Sequence, residues 1–333
     1  MALKVGINGF GRIGRMILRS LIENNRKDLE IVAVNNRANT EVSSFLLKHD
    51  TIHGKLKAKI KYTEKSIEIN GKKINMIHEM EIAKIDWKKH KVDVVLECTG
   101  KFNTKEKSAQ HIKSGAKKVL VSAPCKGAIN IIFGVNQKTL KNSDQVISAA
   151  SCTTNCLAPI AKVINDNFGI EAGFMTTIHS YTSDQKLLDN SHKDLRRARS
   201  APNSIIPTTT GATKSLGDVI PELKGKVEGI SIRVPTPNVS LVEFVFSSKK
   251  NLSVEEINNS LLKASKSELK NILDTSDEKL VSTDFNHNPH SAIVDLSLTK
   301  VIETKMAKVS AWYDNEWGFA CRMCALANYL GKI

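Results

Sequence analysis

Cys152 and Cys156 stand four residues apart in the stretch SAASCTTNCLAP, residues 148–159. Two thiols at this spacing can be half of a metal site, a redox pair, or one reactive thiol with a bystander. A zinc site needs four ligands, and neither a second C-x-x-C nor an H-x-x-x-H partner of suitable spacing lies near them in the sequence. No metal is expected. Cys321 and Cys324 do form a C-x-x-C, without a histidine partner, and packing is the expectation there, as it is for Cys98 and Cys125. Ser151 has the chemistry of a helix N-cap, and Leu157, Ile160, Ala161 and Ile164 keep helical spacing as far as Gly169. Cys152 is therefore expected in a first turn, where the helix dipole and free N–H groups favour the thiolate and lower its pKa from about 8.5. Cys156, one turn on, should behave as a small buried hydrophobe. Pro159 falls inside this helix and should weaken or kink it.

A cysteine nucleophile also needs a base, usually distant in sequence. His179 closes the apolar run FMTTIHSYT. Alone, a histidine in a strand is more often structural; beside a reactive thiol and a dinucleotide site it becomes the expected catalytic partner.

The elements that must position these groups can be read from the chain's start. A short apolar strand, residues 3–7, leads into Gly9, Gly11 and Gly14 in G-x-G-x-x-G spacing, then into the helical pattern Ile17, Leu18, Leu21, Ile22 and a second strand at 30–36. Such a turn lets a pyrophosphate meet backbone N–H groups at a helix N-terminus. Further strands are expected at 92–100, 117–124 and 129–135, with a helix at 103–116. The fold class is α/β, an N-terminal Rossmann doubly wound parallel sheet, and Thr99, Gly100 and Ser122 at strand C-termini should line the cofactor crevice. Beyond residue 150 come β-rich runs at 170–180, 226–248 and 290–314, with helices at 210–220 and 253–271. These predict a mixed α/β domain with an antiparallel-rich sheet. The expected organisation is a dinucleotide-binding domain over 1–150, with the terminal helix 317–333 packing back on it, and a catalytic domain over 151–316.

The formal charge of +15 raises the question of nucleic acid or an anionic surface as partner. The lysines are dispersed, however; KLKAKIKYTEKSIEINGKK (55–73) alternates them with apolar residues as an amphipathic strand and hairpin would. Aromatic residues make up 5% of the chain, too few for stacking platforms on single strands. Nucleic acid is therefore not the expected partner. No apolar run approaches the ~18 residues of a membrane span, no signal segment opens the chain, and six scattered cysteines suit a reducing compartment, so a cytoplasmic location is expected.

Almost end to end the chain resembles the phosphorylating glyceraldehyde-3-phosphate dehydrogenases. The stretches that carry the likeness are INGFGRIGR (7–15), SCTTNCLAP (151–159), HSYTSDQ (179–185), HKDLRRAR (192–199), PTTTGA (207–212), RVPTPNVS (233–240) and WYDNEWG (312–318). The resemblance implies a homotetramer using NAD or NADP, with an S-shaped loop, about 181–203, bordering a neighbouring subunit's cofactor. It implies Cys152 as nucleophile with His179 as acid–base partner, and oxidation of the aldehyde through a cysteine thioester that inorganic phosphate releases as 1,3-bisphosphoglycerate, in glycolysis or gluconeogenesis. Gly9, Phe10, Gly11, Arg12, Ile13 and Gly14 would form the cofactor turn, and Asn315 would orient the nicotinamide carboxamide. Thr182 and Arg233 would hold the substrate's phosphate; Ser151, Thr153, Thr210 and Gly211 would hold the incoming one.

Departures from that pattern carry expectations of their own. Ala149 stands where the family usually has Asn, implying a lost hydrogen bond at the start of the helix, and Phe319 replaces a common Tyr. The acid that reads the ribose 2′-OH in NAD-specific members is replaced by Asn36, followed by Arg37, and a usual Leu-Pro pair by Asn190 and Ser191. Both changes predict that NADP is used at least comparably to NAD. DFNHNPHSAIVD (284–295) and EWGFACRM (316–323) resemble an erythrose-4-phosphate dehydrogenase branch, but Thr182 and the run Thr208 to Thr210, which that branch tends to lose, favour the triose phosphate. A binding role on RNA or an anionic surface is the alternative from another class.

Overall fold

In the computed structural model, which describes residues 2–333, the chain divides into two compact units. One holds the described residues up to Ile131 with Gln137–Ala150 and Ala320–Ile333; the other holds Ile132–Asn136 and Ser151–Phe319.

The first unit is built on a nine-stranded sheet. From one edge run Ile129–Asn130, Val146–Ser148, Lys118–Val121, Val94–Glu97, Leu3–Asn8, Leu29–Asn35 and Lys72–Ile77, all paired in parallel. Ser66–Ile69 and Ile60–Thr63 then add antiparallel, so the lysine-rich stretch is an edge meander, its lysines solvated. Leu3–Asn8 has the second strand on one side and Val94–Glu97 on the other. The winding reverses there, where a parallel sheet opens a crevice at its strand C-termini.

The glycine turn follows Leu3–Asn8 and starts the helix Arg12–Glu23. Gly9 has φ +94°, and a Cβ on it would lie 2.8 Å from Thr99 N; a Cβ on Gly14 would lie 2.2 Å from Gly9 O. Gly11 has open space before it, the face left for a ligand's close approach. The terminal helix Trp317–Leu330 meets this helix at Cys324, whose Sγ lies 3.4 Å from Ser20 Oγ.

Two expected elements are shorter in the structure. The helix at 103–116 is two pieces, Lys105–Ser108 and Gln110–Lys113, because Ala109 has ψ −13° and its carbonyl takes the Ile112 N–H three residues on. Of the strand at 129–135 only Ile129–Asn130 pairs; Gly134 turns away with φ +95° beneath Ile272, in the second unit.

The second unit carries an eight-stranded mixed sheet, ordered Ile206–Thr208, Val227–Val234, Ile170–Ser180, Ser240–Ser248, Met306–Tyr313, Ala292–Asp295 and Leu273–Ser276, with Lys300–Ile302 beside Met306–Tyr313. Antiparallel pairs dominate, but Ile170–Ser180 and Val227–Val234 run parallel. The helix Cys152–Phe168 packs on this sheet and on the helices Ala212–Val219 and Val254–Lys266. It runs through Pro159 without a break. Burial on almost every side, from Cys156 through Ile164, offsets the roughly 3 kcal/mol an interior proline costs.

Candidate active site

Cys152 opens its helix as the spacing predicted. Ser151 Oγ accepts the Thr154 N–H at 3.1 Å, so the helix is capped although Ala149 offers no side-chain bond. Cys152 Sγ lies 3.5 Å from His179 Nε2. His179 is buried near the end of Ile170–Ser180, in direct register with Arg233 on the neighbouring parallel strand. Its Nδ1 is 2.6 Å from Ser180 O and 2.9 Å from Arg233 Nη1, which also reaches Ser180 O at 3.3 Å. Ser180 O can only accept and Arg233 Nη1 can only donate, so the two contacts ask opposite tautomers of Nδ1; the shorter one, to Ser180, is made when Nδ1 carries the ring proton. In that tautomer Nε2 presents its lone pair to the thiol; in the other, Arg233 Nη1 donates to Nδ1.

Electrostatics correct the expected thiolate. Burial pushes the Cys152 thiol up, and the nearby Arg233 charge opposes that only in part. Burial, then Arg233, holds His179 down at about 3. The resting pair is a neutral thiol facing a neutral imidazole: desolvation of both groups outweighs the helix terminus on which the sequence argument rested.

Tyr313, which spacing arguments passed over, organises the floor. Its ring meets His179 edge-on at 5.9 Å, and its hydroxyl bonds Thr153 Oγ1 at 2.9 Å and Thr177 Oγ1 at 2.8 Å. The Thr153 hydroxyl is thus turned inward and buried. Asn315 is fixed through Oδ1, which accepts from Ser180 Oγ at 2.9 Å and Ser240 Oγ at 3.1 Å, leaving Nδ2 as the group it can offer.

The remaining anion-site candidates lie on loops of the same unit. Thr210 Oγ1 accepts the Ala212 N–H at 3.2 Å, and Gly211 is the exposed N-cap of Ala212–Val219. Thr182 N donates to Gln185 Oε1 at 3.3 Å. Arg197, also unforeseen, joins Asp184 at 2.5 Å and Thr209 O at 3.4 Å, tying the 181–203 loop to the threonine run; its charge adds to Arg233's on His179. Ser191 is exposed, its N–H held by Asn190 Oδ1 at 2.7 Å.

In the first unit Gly9, Phe10, Gly11, Asn36, Arg37 and Thr99 line one cavity of about 230 Å³, together with Cys98, Glu79 and Lys101. Cys98 is therefore a wall residue and not simply packing. Arg12, Ile13, Gly14, Gly100 and Ser122 are not in its lining: Arg12 pairs with Asp50, and Ser122 N donates to Glu97 O. Beneath the cavity the buried Glu97 carboxylate accepts from Asn8 Nδ2 at 2.6 Å, His111 Nε2 at 2.9 Å, Thr99 N at 2.8 Å and Thr99 Oγ1 at 2.5 Å, holding two cavity-wall residues. The open Gly11 backbone and the paired Asn36 and Arg37 fit a dinucleotide. Among the described residues no cluster could hold a metal ion, and no helix is long and apolar enough to cross a membrane.

Comparison with known proteins shows the family. Residues 3–105 match the NAD binding domain of glyceraldehyde 3-phosphate dehydrogenase, and residues 151–315 match the C-terminal domain of the same enzyme. The chain is 50% identical to the glyceraldehyde-3-phosphate dehydrogenase of Cereibacter sphaeroides over 100% of both chains. It is 51% identical to that of Geobacillus stearothermophilus, over 100% of this chain and 99% of the other. Glyceraldehyde-3-phosphate dehydrogenase 2 of Bacillus subtilis is 49% identical, over 99% of this chain and 97% of the other.

Proposed function

Because the chain belongs to the glyceraldehyde-3-phosphate dehydrogenase family, we propose that it oxidises D-glyceraldehyde 3-phosphate with NAD or NADP and inorganic phosphate to 1,3-bisphosphoglycerate. The observation that carries the reading is Cys152 Sγ 3.5 Å from Nε2 of His179. As sulfur attacks the aldehyde carbon, the thiol proton passes to Nε2, and the imidazolium so formed donates to the new oxyanion. When that oxygen becomes a carbonyl again, Nε2 takes the hydroxyl proton. The bound nicotinamide supplies the acceptor for the hydride lost from carbon. Residues Gly9 to Gly14, Asn36, Arg37, Thr99, Gly100 and Ser122 hold the dinucleotide in this reading, and the Nδ2 of Asn315 meets the carboxamide. Phosphate then attacks the thioester carbonyl, and the Cys152 sulfur leaves, taking up the proton held on Nε2. Arg233 and Arg197 bring two cations to the site; with Thr182, Thr210, Gly211 and Ser151 they account for two anions, the substrate's phosphate and the incoming one.

The domain roles follow: residues 1–150 with the terminal helix hold cofactor, and 151–316 perform the chemistry. Leu187, Leu188 and Leu195, 74–83% exposed on the 181–203 loop, support a homotetramer in which Ser191 reaches a neighbouring subunit's cofactor. We place the enzyme in the cytoplasm. Asn36 in place of a carboxylate supports NADP use at least comparable to NAD.

Mass spectrometry of the Cys152 peptide is the test. Aldehyde and oxidised cofactor without phosphate should leave the 3-phosphoglyceroyl mass on Cys152, and added phosphate should discharge it. An unmodified Cys152, or acylation elsewhere, would overturn the mechanism. Erythrose 4-phosphate under the same conditions should acylate more slowly.

A further inference from the structure

A cavity of about 760 Å³ opens at the starts of the parallel strands of the first unit, the opposite end from the glycine turn. Lys4 comes from Leu3–Asn8, Asp93 immediately precedes Val94–Glu97, Lys117 precedes Lys118–Val121, and Leu330 to Ile333 close the cavity from the end of the terminal helix. Its volume is that of a small-molecule cleft, roughly 300–1,000 Å³. None of its lining residues lines the cofactor cavity. The tail that closes it is packed backbone: Gly331 N and Lys332 N donate to Ala327 O at 3.1 Å and Tyr329 O at 3.0 Å, and a Cβ on Gly331 would lie 2.7 Å from Leu3 Cδ1.

The lining is cationic. Lys4, Lys91, Lys117, Lys118 and Lys332 stand against Asp28 and Asp93. Both carboxylates are already engaged, Asp28 by the Arg26 guanidinium and Asp93 by Lys117 Nζ at 2.7 Å and Lys4 N at 3.1 Å. The ammonium groups of Lys4, Lys91 and Lys332 take no hydrogen bond or ion pair among the described residues. Lys118 is buried, 8% exposed, and donates one of its three N–H bonds to Ile333 O at 3.2 Å. Burial pushes its ammonium down from the ordinary value, and the Asp144 charge opposes that only in part. A buried cation with donors to spare is stabilised by an anion brought beside it. Asn142, Gln145 and Asn328 add neutral amides to the lining.

We propose that this basin is an anion site of its own, which binds a compact polyphosphate: a linear di- or triphosphate, free or carried on a nucleoside. The five lysines come from separate segments of the chain and are spread around a cavity of this size, so a single phosphate meets few of them and a chain of phosphates meets several. No arginine is among the lining residues. Lysine ammonium groups act as point charges without a planar fork, which suits phosphate oxygens in several orientations better than a flat carboxylate. Most of these charges are exposed, so the affinity falls with salt.

The experiment titrates inorganic tripolyphosphate, and separately a nucleoside triphosphate, into the whole enzyme by isothermal calorimetry, with NAD saturating and at low ionic strength. The comparison is a triple variant carrying Lys4→Gln, Lys91→Asn and Lys332→Gln. Asparagine is used at the second position because Lys91 has φ +53°, a conformation asparagine accepts. Tripolyphosphate should bind the wild type saturably and the triple variant about tenfold or more weakly, each exposed charge contact contributing roughly two- to five-fold. Lys118→Met should weaken binding as well, and every variant should keep wild-type turnover. A nucleoside triphosphate that binds as tightly as tripolyphosphate assigns the contact to phosphates alone; a tighter one brings in the amides of Asn142, Gln145 and Asn328. Equal affinities in wild type and triple variant, which would put the anion elsewhere on a basic chain, overturn the proposal, as does the absence of saturable binding to the wild type.

Discussion

Arg233 stands in register with His179 across a parallel strand pair, its guanidinium 2.9 Å from an imidazole that burial, then this charge, holds neutral. In the proposed reading, substrate phosphate and acid–base chemistry thereby stand side by side on one sheet.

Alkylation by iodoacetamide should select Cys152, because Cys125, Cys156, Cys321 and Cys324 are buried and Cys98 is held strongly protonated by burial. With the Cys152 thiol pushed up, its rate should keep climbing above the ordinary thiol range of about 8.5. Arg233→Leu removes the leading opposing charge and should slow the reaction at pH 8. Peptide mapping with time decides it; first modification at Cys156, or a faster Arg233→Leu, would contradict the assignment.

His179→Asn should lower acylation by roughly 10²–10⁴, read as single-turnover formation of reduced cofactor. It should also change the pH dependence of stability. His179 is held near 3 when folded and is free to protonate near 6.5 when unfolded, so the unfolded chain binds the extra proton and stability falls as pH drops through that window. The group contributes about 1.4 kcal/mol per pH unit there. Urea unfolding between pH 4 and 7 should show a shallower slope in the variant; equal slopes would mean that His179 is protonated in the native state.

Tyr313→Phe leaves the hydroxyls of Thr153 and Thr177 without their shared buried partner, at a cost of about 1–3 kcal/mol in unfolding free energy. Denaturant titration should show the loss, and Cys152 alkylation in the folded variant should be nearly unchanged. A tenfold change in alkylation would place the tyrosine hydroxyl in the chemistry itself.

Asn36→Asp supplies a carboxylate where the proposed reading puts the ribose and should move the NADP/NAD preference towards NAD by about tenfold or more, the scale of 1.4 kcal/mol. Steady-state kinetics with both cofactors measure it. An unchanged ratio would mean that the 2′ position is read elsewhere.

Much of this site can be read from local sequence. The glycine turn shows because each glycine answers a steric demand at a fixed offset, and the start of the Cys152 helix shows because Ser151 caps it. Ionisation states do not show, because the charges on Cys152 and His179 depend on desolvation that only the packed sheet and helix create. Tyr313 escaped notice because its hydroxyl partners lie 160 and 136 residues away.

Asn315 has its carbonyl oxygen claimed by two serine hydroxyls, which leaves Nδ2 as the group it can offer. The contact it offers is therefore polarised in one direction: a carbonyl brought to it is held, and an amine is refused. A cofactor analogue whose carboxamide is replaced by an acetyl group keeps the oxygen and should still be gripped there, whereas an aminomethyl analogue should lose its footing. In the proposed reading Ser180 and Ser240 thus set the polarity of a recognition contact that neither of them makes.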